Sequence, residues 1–585
     1  MKNFFSGFLG ALAALWLTLG LLFVLMICSV AALMRGVGAR QFASVKPHSV
    51  LYLNLDTRIV EFPDKDTFLN EMMGIAEKPS TPLQQIVEAL DRSASDSRIE
   101  GLFIDCNGSE AGLAQYAEIR EAVERFKTSG KWVVSYADTY QQGDYYVATA
   151  SDSIFVNPSG IVDIHGLASV NLYFKNLLDK LGVEMQVLRV GAFKSAVEPF
   201  MLNGPSTEAT TMQRQYLDNI WQAVSGSIAK GRKVKTETVM EWADSVAMAM
   251  SAEEYVKNKI VDATVYRHQM LDKLKQRTGT EKLSLIDPAS YLASGRNTPR
   301  EAKTRIGIYF CQGDIVDEGE AGIVGPDVCR DILDLAEDDD LDGLIIRINS
   351  GGGSAFASEQ IWEALQQWKI ITDKPLYVSM SDYAASGGYY IACGADKIFA
   401  EPQTLTGSIG IFGMIPNAQG LLQDKVGITA SVTATNPDAV PANIFMPMTP
   451  LQRQHMQSYV NRGYDLFVKR VAEGRHISTD SVNAIAQGRV WDGMQAKKIG
   501  LVDQLGGLHT TVKALAEHLG VRDYTVVGVQ TPSQSPLSIL RTSAMKMAEK
   551  TTLRPGSPEQ QMWESIAYIR RASGIQAHMP YFILK

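Results

Sequence analysis

A serine hydroxyl lies between two glycines in Thr406-Gly407-Ser408-Ile409-Gly410, shortly after the turn Glu401-Pro402. Glycine on both sides lets the backbone turn sharply and leaves room for another chain to approach Ser408. Such a hydroxyl can attack a carbonyl carbon when a base within about 3 Å takes its proton. Since a serine between glycines is also an ordinary turn residue, a nucleophile here requires a base and an oxyanion-binding group elsewhere in the chain.

A run of three glycines is the candidate oxyanion-binding group. The segment Asn349-Ser350-Gly351-Gly352-Gly353-Ser354 joins a predicted buried strand to a predicted helix. Glycines at such a junction expose backbone N–H groups that can hold an oxyanion. We expect the N–H of Ser408 and that of Gly352 or Gly353 to bind the carbonyl oxygen. A flexible loop is the structural alternative.

A second pair of small residues, Ser386 and Gly387, opens the next predicted helix. Its position after a strand predicts that it borders the same cleft and contacts the oxyanion or the substrate. Close packing at the start of a helix is the alternative explanation for these residue types.

Lys194 is the candidate base, in Ala192-Phe193-Lys194-Ser195-Ala196-Val197-Glu198. A lysine in water has a pKa near 10.4 and is protonated, but burial disfavours the ammonium and can lower that value by roughly 3–5 pH units. We expect Glu198 to turn away, because a carboxylate in contact would favour the charged amine. A lone lysine is more commonly a solvated surface residue. Among the histidines, His165 is nearest to these motifs, and a triad that uses it is the alternative.

The chain contains an internal duplication with a separation of about 240 residues. Ile99-Glu-Gly-Leu aligns with Leu341-Asp-Gly-Leu, and Gln213-Arg-Gln aligns with Gln452-Arg-Gln. Strands alternate with helices in both copies, which favours an α/β fold with mainly parallel sheets. The predicted strands are 48–54, 99–105, 306–310 and 341–348, and the predicted helices lie around 84–92, 328–336 and 358–368. We place the first repeat at 47–290, the second at 303–530 and a tail at 531–585.

The two copies have retained different chemical groups. Ser408 of the second copy aligns with Ile164, and the glycine run aligns with Asn107-Gly108-Ser109-Glu110-Ala111. Where the first copy has Lys194, the second has a segment at 437–441 without lysine. A site that needs both groups is therefore completed across the two halves of one chain.

The first residues predict a membrane anchor. Residues 3–34 carry no charge and are dominated by Leu, Ala, Phe and Val. This is longer than the roughly 20 residues that span a bilayer, whereas the apolar region of a cleaved signal peptide has about 7–15. Lys2 precedes the span while Arg35, Arg40 and Lys46 follow it, so the flanking charges do not favour export of the body.

Composition excludes several classes of function. The chain has 585 residues, of which 45% are hydrophobic and 21% charged, as expected for a globular protein of several units. A net charge of -8 without a basic stripe argues against nucleic-acid binding. The five cysteines form no CxxC and no Cys/His pair at metal-binding spacing, so neither a metal nor a cofactor is predicted.

Four separated motifs resemble the signal peptide peptidase A family in its long, duplicated bacterial form. They are FKSAVEPF (193–200), NSGGGS (349–354), ASGGYYIA (385–392) and TLTGSIGIFG (404–413). The resemblance implies tandem ClpP/crotonase-like ββα units behind an N-terminal transmembrane helix. It also implies a serine–lysine dyad, with Ser408 as nucleophile and Lys194 as general base. The family's usual Asn-Ser-Pro-Gly-Gly is changed here, because Gly351 replaces the proline.

The same resemblance implies a biological setting. The enzyme would be a single-pass protein of the inner membrane, assembled as a homotetramer with its catalytic body on the periplasmic side. Its substrates would be peptides, namely the signal-peptide remnants left in the membrane after cleavage.

Two other functions stay open on the residues alone. Acyl-CoA enzymes of the same fold use paired backbone amides to stabilise an enolate or thioester oxyanion, and a hydratase would need acidic residues near the glycine run. An anchored scaffold with a decayed active site is the second alternative, and it predicts that Ser408 and Lys194 lie far apart.

Overall fold

The computed structural model describes residues 45–62, 78–245, 247–294, 302–319, 321–436, 438–530, 574–579 and 583–584, together with Thr18 and Gly20. Except for those two residues, the predicted anchor at 3–34 lies outside the described ranges, as does most of the predicted tail at 531–585. Among the helices that the structure does describe, none is both long enough and apolar enough to cross a membrane.

Strands recur through both halves of the chain. Those of the first half are β1 (Ser49–Asn54), β2 (Arg58–Val60), β3 (Ser80–Pro82), β4 (Ile99–Asp105), β5 (Trp132–Tyr140), β6 (Ser153–Val162), β7 (Ser169–Val170), β8 (Glu184–Arg189), β9 (Ala263–Thr264) and β10 (Leu285–Ile286). Those that follow are β11 (Arg305–Gln312), β12 (Ile315–Val316), β13 (Ile323–Val324), β14 (Gly343–Ser350), β15 (Gly352–Ser354), β16 (Leu376–Ala385), β17 (Lys397–Ala400), β18 (Leu405–Gly407), β19 (Phe412–Asn417), β20 (Val490–Asp492), β21 (Gln504–Leu505), β22 (Thr525–Gly528), β23 (Gly574–His578) and β24 (Ile583–Leu584).

Helices connect these strands. The α-helices of the first half are Leu83–Ala94, Leu113–Lys127, Gln142–Ala148, Lys175–Leu181, Glu198–Met201, Thr207–Arg232, Thr236–Asp244, Ala252–Lys257, Arg267–Thr278 and Pro288–Ala293. Those of the second half are Gly325–Ala336, Ala355–Thr372, Gly387–Ala392, Pro450–Arg475, Thr479–Ile485, Gly493–Lys498 and Leu508–His518. The helices Thr207–Arg232 and Pro450–Arg475 have 26 residues each, and each begins at a hydroxyl N-cap, Ser206 and Thr449 respectively.

Each half has a mainly parallel sheet. The first has the order β10-β1-β4-β5-β6-β9 with every pair parallel. The second has the order β20-β18-β16-β14-β11-β22, in which only β18 and β20 are antiparallel, and β17 and β21 extend from β16. Central strands such as β4 and β14 are almost entirely buried, which is typical of parallel strands covered on both faces. These observations confirm the predicted α/β class.

A third sheet combines strands from both halves, in the order β13-β12-β15-β23-β19-β8. Strand β8 of the first half pairs antiparallel with β19 of the second along its full length, from Glu184 opposite Asn417 to Arg189 opposite Phe412. The predicted repeats at 47–290 and 303–530 therefore share a sheet. The boundary between them in the sequence is not a boundary between separate sheets.

A buried ion network also joins the halves. The guanidinium of Arg347, on β14, is wholly buried. Its Nε lies 2.8 Å from a carboxylate oxygen of Glu61, and its Nη2 lies 2.5 Å from one of Glu118. Both acids belong to the first half, and Glu118 also accepts a hydrogen bond from the N–H of Leu508 at 2.9 Å.

Candidate active site

The short segment after β8 brings Lys194 into the centre of the molecule. Gly191, at φ +99°, turns the chain there, and a Cβ at this position would lie 2.4 Å from the carbonyl oxygen of Gln487. Gly488 packs directly against the lysine, since a Cβ on Gly488 would lie 2.6 Å from the Cα of Lys194. The close approach of these two segments therefore requires glycine on both sides.

The structure brings Lys194 and Ser408 together. The Nζ of Lys194 lies 3.2 Å from the Oγ of Ser408 and 3.1 Å from its carbonyl oxygen. The same Nζ lies 2.7 Å from the Oγ of Ser386. All three residues are wholly buried. The alternative of a scaffold with a decayed active site predicted that Ser408 and Lys194 lie far apart, and this prediction is wrong.

Both serines have strained backbones. Ser408 has φ +51° and Ser386 has φ +54°, a region that few non-glycine residues occupy. Hydrogen bonds hold them there, because the N–H of Ser408 donates to the carbonyl of Arg489 and that of Ser386 donates to the carbonyl of Gly407, each at 2.7 Å. Strain of this kind persists where the surroundings over-determine the conformation, and it is concentrated at functional sites.

The surroundings of Lys194 favour its neutral form. Burial lowers the pKa of the Lys194 amine well below its usual value. Glu198 does not oppose this effect, because its carboxylate accepts hydrogen bonds from the N–H and the Oγ of Ser206, at 3.0 Å and 2.6 Å. The predicted orientation of Glu198, turned away from the lysine, is therefore confirmed.

One predicted oxyanion donor is wrong. The N–H of Ser408 donates to Arg489, as described above, so it is not directed toward a substrate carbonyl. The sequence did not show this because Arg489 belongs to a distant segment of the chain that carries no motif. The guanidinium of Arg489 also lies 3.9 Å from the centre of the Phe193 ring, beside the lysine.

The predicted glycines lie close to one another. Gly352 and Gly353 belong to β15, at φ +104° and +154°. The N–H of Gly352 donates to the Oγ of Ser350 at 3.1 Å. A Cβ on Gly352 would lie 2.7 Å from the backbone nitrogen of Gly387, so these two amides are close neighbours. As the first residue of its helix, Gly387 has no intrahelical partner for its N–H.

Two other candidates have different surroundings from those expected. Ser386 contacts the amine of Lys194 rather than a substrate position, so its hydroxyl is a positioning group. His165 is exposed, and its Nδ1 lies 2.8 Å from a carboxylate oxygen of Asp163. In the described part of the chain no three His, Cys, Asp or Glu side chains are arranged to hold a metal ion.

A cleft of about 270 Å³ opens beside the lysine. It lies between the start of the helix Thr207–Arg232 and the ring of Phe193, with Arg489 at its wall. A serine hydroxyl and a buried amine within hydrogen-bonding distance of each other have the geometry that a nucleophile and its base require.

Comparison with known proteins identifies the family. The sequence model of Peptidase family S49 matches residues 125–281 and 370–522, together just over half of the chain and one stretch in each half. The chain belongs to peptidase family S49, and it is a serine peptidase of the signal peptide peptidase A group.

Curated relatives cover most of the chain. Protease 4 of Haemophilus influenzae is 34% identical over 544 residues, which are 88% of each chain. Protease 4 of Salmonella typhi is 35% identical over 74% of this chain and 72% of its own. The chloroplastic serine protease SPPA of Arabidopsis thaliana is 29% identical over 78% of this chain and 69% of its own. Among solved structures, a ClpP1 mutant from Listeria monocytogenes aligns over 35% of this chain and 94% of its own, with 16% identity and a TM-score of 0.24.

Proposed function

We propose that the protein is a membrane-anchored endopeptidase that uses Ser408 as its nucleophile and Lys194 as its general base. The observation that carries this proposal is the 3.2 Å distance between the Nζ of Lys194 and the Oγ of Ser408, made by an amine that is wholly buried. Burial lowers the pKa of this amine and so favours its neutral form, which can accept the proton of the hydroxyl.

The reaction follows from this geometry. As the Oγ of Ser408 attacks a peptide carbonyl carbon, its proton moves to the Nζ of Lys194. The resulting ammonium then donates that proton to the departing amine, and an acyl-enzyme remains on Ser408. A water molecule, deprotonated by the same amine, attacks the ester and releases the acyl product.

Charge on the carbonyl oxygen needs a separate stabilising group. We assign this role to the N–H of Gly387, which has no intrahelical partner, and to that of Gly352, which would have to exchange the Oγ of Ser350 for the substrate oxygen. A backbone donor that is already in place stabilises a developing oxyanion without reorganisation during the reaction. Ser386 holds the amine of Lys194 at 2.7 Å and thereby fixes its direction.

Substrate and location are extensions of the proposal. The uncharged stretch at 3–34 would anchor the enzyme in the inner membrane with its body on the periplasmic side, as a homotetramer. An anchored peptidase shares its bilayer with signal-peptide remnants, which are themselves apolar and confined there. These remnants are the proposed substrates.

A serine-reactive acylating probe tests the dyad. The full-length protein, purified in detergent, is expected to be labelled on Ser408, and labelling and peptide hydrolysis should fall at least about 10³-fold in Ser408→Ala and in Lys194→Ala. The matched controls are Ser458→Ala and Lys180→Ala, both on exposed surfaces, which should react like the parent. Labelling that survives in Ser408→Ala would remove the serine from the mechanism, and full activity in Lys194→Ala would remove the lysine.

A further inference from the structure

The cleft beside Lys194 contains a cation without an anionic partner. In the part of the chain that the structure describes, the guanidinium of Arg489 makes no hydrogen bond and no ion pair. Burial lowers the pKa of this guanidinium, and no neighbouring acid raises it. Glu208 also lines the cleft, but its side chain is exposed and forms no ion pair with Arg489. Since an arginine stays charged in proteins, the cleft presents a positive charge that an incoming anion can neutralise.

Two aromatic rings hold this guanidinium in place. Its central carbon Cζ lies 3.9 Å from the centre of the Phe193 ring and 5.2 Å from that of the Trp491 ring. Contact with a ring uses the face of the planar guanidinium and leaves the N–H donors in its plane free to bind an anion. A carboxylate matches this fork with two parallel hydrogen bonds. The side chain of Arg489 is therefore pre-organised to bind a carboxylate.

The other walls of the cleft are partly apolar and partly polar. Met212 and the ring of Phe193 supply an apolar surface. Thr207, Thr211 and Gln215 follow one another at intervals of four residues, so they lie on one face of their helix and supply polar groups. A volume of about 270 Å³ is near the lower end of the range for small-ligand pockets, about 300–1,000 Å³. The cleft therefore suits a side chain or a chain end rather than a long segment of peptide.

The segments that form the cleft also hold the dyad. Phe193 directly precedes the base Lys194, and the carbonyl of Arg489 accepts the hydrogen bond from the N–H of Ser408 at 2.7 Å. The N–H of Phe193 donates to the carbonyl of Gln487 at 3.0 Å, which joins the two segments to each other. The position of the cleft is therefore fixed relative to the reacting atoms.

The cleft lies on the side of the leaving group. In the proposed reaction the ammonium of Lys194 donates its proton to the departing amine, so the leaving part of the substrate lies next to the lysine segment. Phe193, the neighbour of Lys194 in the chain, forms a wall of the cleft. The leaving part is the C-terminal part of the peptide, and a carboxylate stands at its end.

We propose that this cleft is a subsite for the leaving part of the substrate and that Arg489 binds a carboxylate there. The carboxylate belongs either to the C-terminus of the peptide or to an Asp or Glu side chain that follows the cleaved bond. This inference rests on the proposed function, because it takes Ser408 and Lys194 to cleave a peptide. A signal-peptide remnant ends in a free carboxylate, since hydrolysis of a peptide bond leaves one, and so carries the group that the cleft would bind.

Matched peptides test the inference with the full-length protein in detergent. The first pair is a peptide of alanine and leucine that ends in a carboxylate or in a carboxamide. The second pair always ends in a carboxamide and has Glu or Gln among the residues that follow the cleaved bond. Mass spectrometry locates the cleavage and gives kcat/KM for each peptide. The readout is the ratio of the acid to the amide within a pair, because this ratio cancels any effect of a substitution on the dyad itself.

The parent should cleave the acid of at least one pair about tenfold better than the amide, through a lower KM. A response of the first pair identifies the chain end as the ligand, and a response of the second identifies a side chain. Arg489→Gln should bring the ratio to about one, and Arg489→Glu should bring it below one. The matched control is Arg277→Gln, which should keep the ratio of the parent. Arg277 also lies over a ring, that of Trp132 at 5.5 Å, but it is exposed and does not line the cleft.

Inhibition of the parent gives the same comparison without a substitution. Dipeptides that match the leaving parts of the four peptides are added as inhibitors, and the acid of the responding pair should inhibit about tenfold more strongly than its amide. If the variants of Arg489 do not fold, as judged by circular dichroism, this comparison decides the question.

A ratio close to one for both pairs in the parent would overturn the inference while leaving the dyad intact. A high ratio that Arg489→Gln retains, or equal inhibition by the acids and the amides, would also overturn it. If the parent hydrolyses none of the peptides and the acylating probe does not label Ser408, the proposed function is defeated, and the inference falls with it.

Discussion

The two halves use the same strand-to-helix junction in opposite ways. In the first half, the carboxylate of Asp144 accepts hydrogen bonds from the N–H groups of Gly108 and Ser109, at 2.9 Å and 3.2 Å. In the second half the equivalent of Asp144 is Gly388, and the N–H of Gly352 donates instead to the hydroxyl of Ser350 at 3.1 Å. The loop of the first half therefore holds an internal carboxylate, whereas the loop of the second holds a neutral hydroxyl.

The pKa of Asp144 fits this description. Burial raises the pKa of this carboxyl to about 6, although hydrogen bonds from Ser109 and Gly108 favour the charged form. The group is therefore mostly ionised at neutral pH, and its oxygens accept hydrogen bonds from the surrounding backbone N–H groups. Ile164, the equivalent of Ser408, is buried in an apolar cluster. The first half therefore keeps the strand-to-helix junction, but the side chain of Asp144 occupies its loop amides.

The largest effect, on the free energy of unfolding, is expected at the buried ion network that joins the halves. Arg347→Ala leaves Glu61 and Glu118 as buried carboxylates without their cation, which should lower the free energy of unfolding by about 3–5 kcal/mol. Urea denaturation followed by circular dichroism measures this change. Arg330→Ala is the control, because its ion pair with Asp327 is exposed and its loss should change stability by less than about 1 kcal/mol. Equal effects of the two substitutions would mean that the halves are stable without the network.

The next effect, on kcat/KM, distinguishes the glycine loop of the second half from the equivalent loop of the first. Gly352→Ala forces a side chain into a backbone at φ +104° and displaces a proposed oxyanion donor, so kcat/KM should fall about 10²–10³-fold. Ser109→Ala makes a change of similar size in the first-half loop, where it removes a hydrogen bond to Asp144. Hydrolysis of an extended peptide by this control is expected to stay within about twofold of the parent. Equal losses in both variants would contradict the division of roles.

A smaller effect is expected at the helix starts. Ser386→Gly removes the hydroxyl bonded to Lys194 but keeps the positive φ without strain, so kcat/KM should fall about tenfold. The hydroxyl oxygen accepts a hydrogen bond from the amine and favours its protonated form, so the acidic limb of the pH profile should also move to lower pH. In the first half the equivalent residue, Gln142, holds the backbone of His165 and Gly166 instead. Gln142→Ala should therefore leave the position of that limb unchanged, whereas an identical pH profile in Ser386→Gly and the parent would argue against a positioning role.

The last effect is a dependence of stability on pH, and it concerns an acid of the second half that faces acids of the first. Both carboxyl oxygens of Glu401 are buried, and within the described residues neither has a hydrogen-bond partner. Burial, reinforced by Glu121 and Glu118, raises the pKa of Glu401 well above its usual value.

The sign of the resulting pH dependence follows from proton uptake. Above pH 4.5 the unfolded chain releases a proton from Glu401 that the folded protein keeps, so stability falls as pH rises toward the folded pKa. Glu401→Gln removes this contribution. Its stability relative to the parent should increase between pH 5 and pH 8, by about 1.4 kcal/mol for each pH unit below the folded pKa, measured by urea denaturation at both values. A constant difference across this range would contradict the assignment of a neutral Glu401.

Local sequence was sufficient to predict several helices and strands of the fold. The predicted strand at 99–105 coincides with β4, and the predicted helices near 84–92 and 358–368 lie within Leu83–Ala94 and Ala355–Thr372. The strand predicted at 341–348 is observed at Gly343–Ser350, two residues later. Hydrophobic periodicity carries this information because it is a property of neighbouring residues.

Long-range contacts were beyond the reach of such patterns. The duplication singled out Lys194 and Ser408, because neither has an equivalent in the other half. Nothing local indicated that Ser386 would hold the amine or that the carbonyl of Arg489 would accept a hydrogen bond from the N–H of Ser408. Arg347 lies 286 residues from Glu61 and 229 from Glu118, and no periodicity links them. Strand β23 is a similar case, since both of its partners, β15 and β19, lie far from it in the sequence.

The pairing of β8 with β19 has a consequence for the synthesis of this enzyme. Lys194 precedes Ser408 by 214 residues, which a ribosome adds in roughly 10–40 s at about 5–20 residues per second. During that interval the emerging chain holds Lys194 without Ser408 beside it. A dyad divided in this way cannot form until Ser408 and the strand β19 that follows it have been synthesised.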